Sequence, residues 1–310
     1  MRVLLTTEGT FPYSGGGVST WAGSLIGGLP SHDFTVAALV ANPPTAPVYR
    51  IPENAVVVPV PLWGVESVDE YLPRAYSSKG KRFHGSGATT RFLDPFALLV
   101  DHVTRADPEP AAVAHAIGEL ARFTASYDLR RAMRDTRVWD LLRQRLRANP
   151  LYRYLSLSEA VGFGRTLYRY LLPLALCVPD VDVVHSSAAG ICAIPAISAK
   201  AQRGTPLVLT EHGIYLRERI LELVRRKVGA LEKMLFSNLY RAVAQASYHV
   251  ADRVAPVCRY NTGWETELGL DGSKVRVIHN GVDPSRFSPG HLEHDRPTSV
   301  WVGRIHPLKD

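Results

Sequence analysis

Residues 2–40 read RVLLTTEGTFPYSGGGVSTWAGSLIGGLPSHDFTVAALV, and this stretch decides the fold class. Arg2–Thr7 is a short apolar run with β-branched residues, which is typical of a buried strand. A glycine-rich loop follows and ends at Gly17, after which Val18–Leu29 places its apolar side chains at helical spacing. Phe34–Val40 reads as a second strand. A strand, a turn, a helix and a strand predict the β-α-β unit of a parallel sheet.

Further apolar runs predict that the same sheet continues along the chain. The additional strands are expected at Ala55–Val60, Val181–Ser186, Pro206–Thr210, Arg253–Val257 and Val275–Ile278. Helical spacing between the later runs predicts helices over Ala188–Arg203, Leu216–Tyr248 (one helix or a pair) and Asn261–Leu268. We therefore expect an α/β fold, a Rossmann-like parallel sheet with helices on both faces.

Residues 62–173 interrupt this alternation. Turn formers prevail over Leu62–Asp94, and helical spacing then appears in Pro95–Arg105, Glu109–Arg134, Arg137–Ala148 and Ser158–Leu172. We interpret the stretch as a helical insertion within the first domain. Its residue pattern does not assign it to a lipid, protein or glycan.

The domain boundary is expected near residue 289. Residues 280–289 carry the turn chemistry of a linker, and Ser299–Val302 is predicted to be the first strand of a second Rossmann-like domain. We expect residues 1–289 to form one domain and residues 290–310 to begin a truncated one. A complete second domain needs about 150 or more further residues, so the isolated chain is expected to be an inactive fragment.

Composition excludes several classes of protein. The 310 residues include 36 Lys and Arg against 29 Asp and Glu, a net charge of +7. The basic runs Arg130–Arg147 and Arg217–Lys233 alternate with apolar residues at helical spacing, which is typical of solvated helix faces and not of a nucleic-acid surface. The longest apolar stretches have about ten residues, too few to span a bilayer.

The chain carries no signal of export or of a metal site. Glu8 interrupts the N-terminus before a signal-peptide apolar region can form, so a cytoplasmic location is expected. Its three cysteines are widely spaced, with no Cys-x-x-Cys motif. We therefore expect core thiols and neither a disulfide framework nor a zinc site.

Ligands of open parallel sheets bind beyond the carboxyl ends of the strands, which nominates four loops. In the first loop, Gly15, Gly16 and Gly17 immediately precede a helix, where backbone N–H groups can approach a phosphate. The second strand ends without an acid at Asn42, so binding of a dinucleotide is disfavoured.

The other three loops carry ionisable side chains. His185 ends one predicted strand, where a structural role and a ligand contact both stay open. Glu211 and His212 follow the next strand, with Arg217 and Arg219 just beyond. Burying such a cluster of charged groups costs free energy unless a ligand pairs with some of the charge, which favours a functional role. Arg304 and Lys309, in the fourth loop, would suit a diphosphate.

Four motifs in these loops carry a family resemblance. They are Glu8-Gly-Thr-Phe-Pro with Gly15-Gly-Gly-Val-Ser-Thr-Trp21, Thr210-Glu-His-Gly-Ile-Tyr-Leu-Arg-Glu-Arg219, Val277-Ile-His-Asn-Gly-Val-Asp283 and Val302-Gly-Arg-Ile-His-Pro-Leu-Lys-Asp310. Together they resemble the family-four glycosyltransferases of GT-B type. The first two are similar to the PelF-like branch, whose members use nucleotide sugars in exopolysaccharide biosynthesis.

The resemblance implies two Rossmann-like domains and retaining transfer of a sugar from a nucleoside diphosphate. The donor is expected to be a UDP-sugar such as UDP-glucose, and the acceptor a glycan hydroxyl. The resemblance implies no cofactor, metal or nucleic acid. A membrane-associated polysaccharide synthase at the inner membrane face is a candidate partner.

Site residues follow from the same resemblance. Gly16 and Gly17 match the loop that lies against the donor diphosphate, and His212 matches the catalytic histidine facing the reacting sugar. Arg304 and Lys309 match the pair that neutralises the leaving diphosphate. Candidate acceptor or sugar contacts are Glu8, Gly15, His185, Glu211, Arg217 and Arg219.

Two other functions stay open at this stage. A sugar-nucleotide epimerase of GT-B fold also surrounds a diphosphate with two Rossmann-like halves, and a non-catalytic binding or scaffold homologue would keep the fold alone. The family carries two glutamates seven residues apart in the second domain, and their presence downstream would favour transfer.

Overall fold

The computed structural model describes residues 1–44, 46–64, 68–77, 85–287, 290 and 296–302. The chain divides into two compact units, Met1–His279 and Asn280–Asp310. The division falls close to the linker expected from the turn residues, and the assignment of two domains stays a prediction.

The first unit contains a six-stranded sheet in which every neighbouring pair of strands is parallel. The strands are β1 (Arg2–Glu8), β2 (Asp33–Val40), β3 (Ala55–Pro61), β4 (Val183–Ser186), β5 (Leu207–Glu211) and β6 (Arg253–Pro256). Their order is β3-β2-β1-β4-β5-β6. The predicted Rossmann-like α/β fold is confirmed. The order reverses direction between β1 and β4, which is the topological switch point of such sheets.

Ten α-helices occur in the described part of the chain. They are α1 (Gly17–Gly27), α2 (Gly85–Val103), α3 (Pro110–Ser126), α4 (Leu129–Met133), α5 (Thr136–Ala148), α6 (Leu157–Leu171), α7 (Ala193–Arg203), α8 (Tyr215–Arg225), α9 (Ala230–Val250) and α10 (Arg259–Glu267). The predicted helical segment over Leu216–Tyr248 is thus a pair, α8 and α9.

The two faces of the sheet bury different side chains because successive residues of a strand point to opposite faces. Val3 and Leu5 of β1 join a small cluster that includes Ile26 of α1. Leu4 joins a much larger cluster, which extends into α2–α7 and α9. Burial of these apolar surfaces from water is the main term that holds the sheet and its helices together.

The helical insertion shares the core of the sheet. Helices α2–α6 lie between β3 and β4 in the chain, and α3 packs against α7 and α9. At Gly118 of α3 a Cβ atom would lie 2.7 Å from the Cβ atom of Ala201 in α7, so the absence of a side chain permits this close approach. The insertion is therefore built into the first unit.

Local sequence explains where the insertion helices begin. The Asp135 side chain accepts a hydrogen bond from the Arg137 N–H at the start of α5. At the start of α6, the Ser156 hydroxyl accepts from the Glu159 N–H, and the Glu159 carboxylate accepts from the Ser156 N–H. This reciprocal capping box satisfies two N–H groups that have no partner within the helix.

Two predicted strands differ from the structure. Val275–Ile278 lies beside β6 but is not a regular strand: it forms one bridge, between Val254 and Val275, and its Arg276 and Ile278 N–H groups donate to carbonyls of β6 at 2.9 Å. Ser299–Val302 is not a strand: Val300 and Val302 are exposed, and no described residue pairs with this segment. An apolar β-branched run becomes a strand only where a second strand supplies hydrogen-bond partners.

Candidate active site

Polar side chains from three neighbouring strands meet at the carboxyl edge of the sheet. Glu8 ends β1, His185 lies in β4, and Glu211 ends β5 with His212 next in the chain. Because β1, β4 and β5 are adjacent and parallel, these residues lie around the switch point. The structure thus brings together four of the residues that the sequence nominated.

Trp21 connects these strand ends to the first helix. Its ring meets the His185 ring at a centroid separation of 5.4 Å and the His212 ring at 4.5 Å, both edge to face. In the sequence, Trp21 ends one of the motifs that carry the family resemblance and is one of the apolar residues at helical spacing over Val18–Leu29. Nothing in the sequence indicated that it would contact both histidines.

His185 has a protein partner. Its Nε2 atom lies 2.8 Å from the Thr210 hydroxyl oxygen of β5. Burial, together with the nearby His212, lowers the pKa of His185 to about 4. The imidazole is therefore neutral at pH 7, and its hydrogen bond to Thr210 helps to fix the spacing between β4 and β5.

His212 has an unfilled hydrogen-bonding position. Its Nε2 atom is buried and has no partner among the described residues. Burial lowers the pKa of His212 to about 4, so this ring is also neutral at pH 7. Leaving a buried polar atom unpaired costs about 1–3 kcal/mol, which a hydrogen bond from a bound molecule would recover.

Glu8 and Arg219 form an electrostatic pair at the switch point. Burial raises the pKa of Glu8 to about 7, against the lowering effect of the Arg219 charge. The Glu8 Oε2 atom is buried without a hydrogen-bond partner among the described residues. Burial disfavours the charged form of Arg219, but Glu8 and other nearby groups outweigh it and the pKa of Arg219 is raised. Arg219 also forms an ion pair of 2.9 Å with Glu222.

Two tyrosines lie beside Glu8. The hydroxyl oxygens of Tyr170 in α6 and Tyr215 in α8 are 2.8 Å apart, and both side chains are buried. The Tyr215 ring packs on Gly190, where a Cβ atom would lie only 2.2 Å from the ring. None of the three residues was nominated for the site, although Tyr215 lies within the quoted motif 210–219, because nothing in a linear pattern joins positions 170, 190 and 215.

Both carboxylate oxygens of Glu211 have protein partners, and its nomination as a sugar or acceptor contact stays a prediction. The side chain is fully buried. Its Oε1 atom accepts the Ala189 N–H at 2.7 Å, and its Oε2 atom accepts the Tyr248 hydroxyl at 3.0 Å. Burial raises the pKa of Glu211 to about 8, with a further contribution from Glu265. Glu211 thereby joins the loop after β4 to α9.

The glycine loop exposes the N-terminus of α1. Gly17 begins the helix, and Gly16 caps it at a φ of +155° without any side-chain cap. A Cβ atom placed at Gly15, Gly16 or Gly17 would meet nothing within 4 Å. The first turn contains no acidic residue. The Gly16 N–H donates to the Tyr49 hydroxyl at 3.3 Å. The N–H groups of the first helical turn have no side-chain cap, so together with the helix dipole they favour an anion at this position.

The remaining nominated residues are placed differently. Arg217 is exposed on α8 and forms no ion pair with a described residue. Arg304 and Lys309 lie outside the described residues, so their assignment to a diphosphate stays a prediction. Among the described residues, no group of three or more His, Cys, Asp or Glu side chains is placed to hold a metal ion.

The last observations concern membrane helices and the similarity of the chain to known proteins. In the described parts of the chain, no helix combines the length and the apolar character needed to cross a membrane. No curated protein matches the chain. Residues 1–273 match the family model described as a domain of unknown function, DUF3492, and the chain therefore belongs to the DUF3492 family.

Proposed function

We propose that this chain is the acceptor-side part of a retaining glycosyltransferase that uses a nucleoside-diphosphate sugar. The observation that carries the proposal is the contact of Trp21 with both His185 and His212. Through this contact, the helix that follows the open glycine loop adjoins a neutral histidine with an unfilled ring nitrogen. A sugar-diphosphate needs both features, one for its charge and one for its hydroxyl groups.

The glycine loop would receive the donor diphosphate. Gly16 and Gly17 leave open space in front of the N-terminus of α1, so phosphate oxygens can approach the backbone N–H groups. These groups are oriented before the ligand arrives, which makes their electrostatic stabilisation of a leaving group effective. Arg304 and Lys309 would add charge to the same diphosphate, as the family resemblance implies.

His212 would hold the reacting sugar. Its buried Nε2 atom can exchange a hydrogen bond with a sugar hydroxyl, in a direction set by the tautomer. A neutral ring does not repel the positive charge that develops on the sugar as the bond from the anomeric carbon to the diphosphate oxygen breaks. The acceptor oxygen then bonds to the same face of that carbon, and its proton passes to the diphosphate.

Glu8 and Arg219 would bind the acceptor. The free Oε2 atom of Glu8 can accept a hydrogen bond from an acceptor hydroxyl, while the Arg219 charge holds the carboxylate in place. We propose a glycan acceptor, UDP-glucose as the first donor to test, and a cytoplasmic reaction in exopolysaccharide synthesis of the PelF-like kind. These finer assignments rest on the sequence resemblance.

The test uses the full-length protein that contains this chain. It is mixed with UDP- and GDP-sugars and a panel of glycan acceptors, while released nucleoside diphosphate and the anomeric configuration of the product are measured. We expect release that depends on the acceptor, with retained configuration. His212→Ala should reduce the rate at least tenfold, whereas His249→Ala, at an exposed position on α9, should not.

Three results would count against this function. Absence of nucleotide release with every donor would overturn transfer, and conversion of the donor sugar without any acceptor would favour an epimerase. Equal rates for His212→Ala and His249→Ala would remove the role assigned to His212.

A further inference from the structure

A second concave surface lies within the helical insertion. It is a cavity of about 380 Å³ between α4, α5 and α6. Four guanidinium groups line it, those of Arg130, Arg134, Arg165 and Arg169, and no carboxylate of the described residues lines it, although Glu70 lies 3.8 Å from the Arg130 guanidinium. We call it the arginine cavity. Its volume falls within the range of pockets that hold small molecules.

The floor of the arginine cavity is apolar. Met133 and Trp139 are half-buried and Val161 of α6 is exposed, so these three side chains offer hydrocarbon surface to the cavity. Leu142 of α5 is almost fully buried, and Gly164 keeps α5 and α6 close, since a Cβ atom there would lie 3.1 Å from a methyl carbon of Leu142. The surface therefore joins a hydrocarbon floor to a group of guanidiniums.

Arg169 is held in place before any ligand arrives. Its guanidinium stacks on the Trp63 ring at 3.3 Å from the centroid, and one of its terminal nitrogens donates to the Arg165 carbonyl at 2.9 Å. Its Nε atom is buried without a partner among the described residues. Burial and the charge of Arg165 both lower the pKa of Arg169. An anion in the cavity would relieve this repulsion and supply the missing hydrogen bond.

The lining also bears on the kind of ligand. Arginine offers only donors, and no Asp, Glu, Asn or Gln side chain of the described residues lines the cavity, where the Tyr168 hydroxyl is an acceptor. A ligand group made of acceptor oxygens therefore matches the lining better than a nucleobase or a sugar, whose amino and hydroxyl groups also donate. A free inorganic anion would leave the apolar floor uncovered.

We propose that the arginine cavity binds an amphiphilic phosphate, with the phosphate at the guanidiniums of Arg165 and Arg169 and an alkyl or isoprenoid chain on the floor formed by Met133, Trp139 and Val161. Arginine pairs with phosphate through two parallel hydrogen bonds. Each methylene removed from water contributes about 0.8 kcal/mol. This inference is independent of the proposed transferase activity, because it concerns other residues.

Calorimetric titration of the 310-residue chain tests the proposal with three probes: octyl phosphate below its micelle concentration, octyl glucoside and inorganic phosphate. Octyl phosphate should bind at least about tenfold more tightly than either of the others, because only it engages both charge and floor. Equal binding of octyl glucoside, equal binding of inorganic phosphate, or no binding of octyl phosphate would each overturn the proposal.

Variants locate the binding. Arg165→Gln, at an exposed position, should weaken octyl phosphate about tenfold. Val161→Asp should weaken it at least as much, by placing a carboxylate at the edge of the floor. The control Arg147→Gln removes an exposed arginine of α5 that does not line the cavity, and it should leave the affinity unchanged. An equal loss in the control would indicate general charge attraction and refute the site.

An assay with vesicles distinguishes a membrane lipid from a free amphiphile as the source of the phosphate. Sedimentation with phosphatidylcholine vesicles, with and without phosphatidic acid, reports on a membrane lipid, whereas the octyl phosphate titration reports on a free amphiphile. Sedimentation that requires phosphatidic acid and is lost in Arg165→Gln supports binding of the lipid. Sedimentation unaffected by Arg165→Gln and Val161→Asp would place the contact elsewhere and contradict the cavity.

Discussion

Gly190→Ala is the substitution whose effect follows most directly from the site geometry. The added methyl group would lie 2.2 Å from one carbon of the Tyr215 ring and within 2.6 Å of two others. No rotation of the methyl group relieves this overlap, so the ring must move. Overpacking of this kind costs about 2 kcal/mol. Displacing Tyr215 from its 2.8 Å hydrogen bond with Tyr170 adds about 1 kcal/mol.

The expected loss is therefore about 3 kcal/mol in the free energy of unfolding. Urea unfolding followed by circular dichroism measures it. Gly263→Ala is the control, because a Cβ atom at that exposed position of α10 meets nothing within 4 Å and alanine favours a helix. In a Tyr215→Leu background the cost of Gly190→Ala should shrink. Equal stability of Gly190→Ala and Gly263→Ala would refute the packing argument.

Two further predictions concern pH and a helix cap. Burial raises the pKa of Glu8 and Glu265 to about 7 and of Glu211 to about 8, so the folded state holds protons that the unfolded state has released. The site histidines oppose this trend, because an unfolded histidine is half protonated at about pH 6.5 and becomes mostly neutral only by about pH 7.5. Three carboxyl groups outweigh two histidines, so stability should fall as pH rises from 7 to 8, less steeply in Glu211→Gln; a rise measured by urea unfolding would contradict this. Ser156→Ala removes the cap of α6 and should cost about 1 kcal/mol by the same assay, whereas an unchanged midpoint would show that the cap is dispensable.

The positions of most strands could be predicted because a buried parallel strand has a recognisable local sequence pattern. Arg2–Thr7 and Phe34–Val40 are short, apolar and β-branched, and turn residues bound them. The position of the glycine loop was also predictable, because three consecutive glycines directly before a helical run are typical of the turn that joins a strand to a helix. Ser299–Val302 shows the same local sequence pattern but is not a strand in the structure. A run of this kind does not reveal whether another strand lies beside it.

The hydrogen-bond partners of the ionisable residues were less predictable than the strands. Glu211 and His212 are neighbours in the chain, and both follow β5, yet one has two hydrogen bonds and the other a vacant nitrogen. The difference depends on Tyr248, which α9 brings to Glu211 from 37 residues away. Trp21 and His185 are likewise far apart in the chain, and their rings meet because α1 packs against the sheet. Such contacts are set by packing, and a linear pattern does not encode them.

The two proposed anion sites of the first unit would demand different chemistry from a ligand. At the glycine loop the attraction would come from backbone N–H groups, and the neighbouring His212 is neutral, so a ligand there would need hydroxyl groups to use its vacant nitrogen. In the arginine cavity the attraction would come from guanidiniums beside hydrocarbon, so a ligand there would need an apolar chain. A sugar nucleotide meets only the first requirement, and an amphiphilic phosphate only the second. If both proposals hold, substitutions at His212 and Arg165 should separate sugar transfer from binding of the amphiphile in one protein.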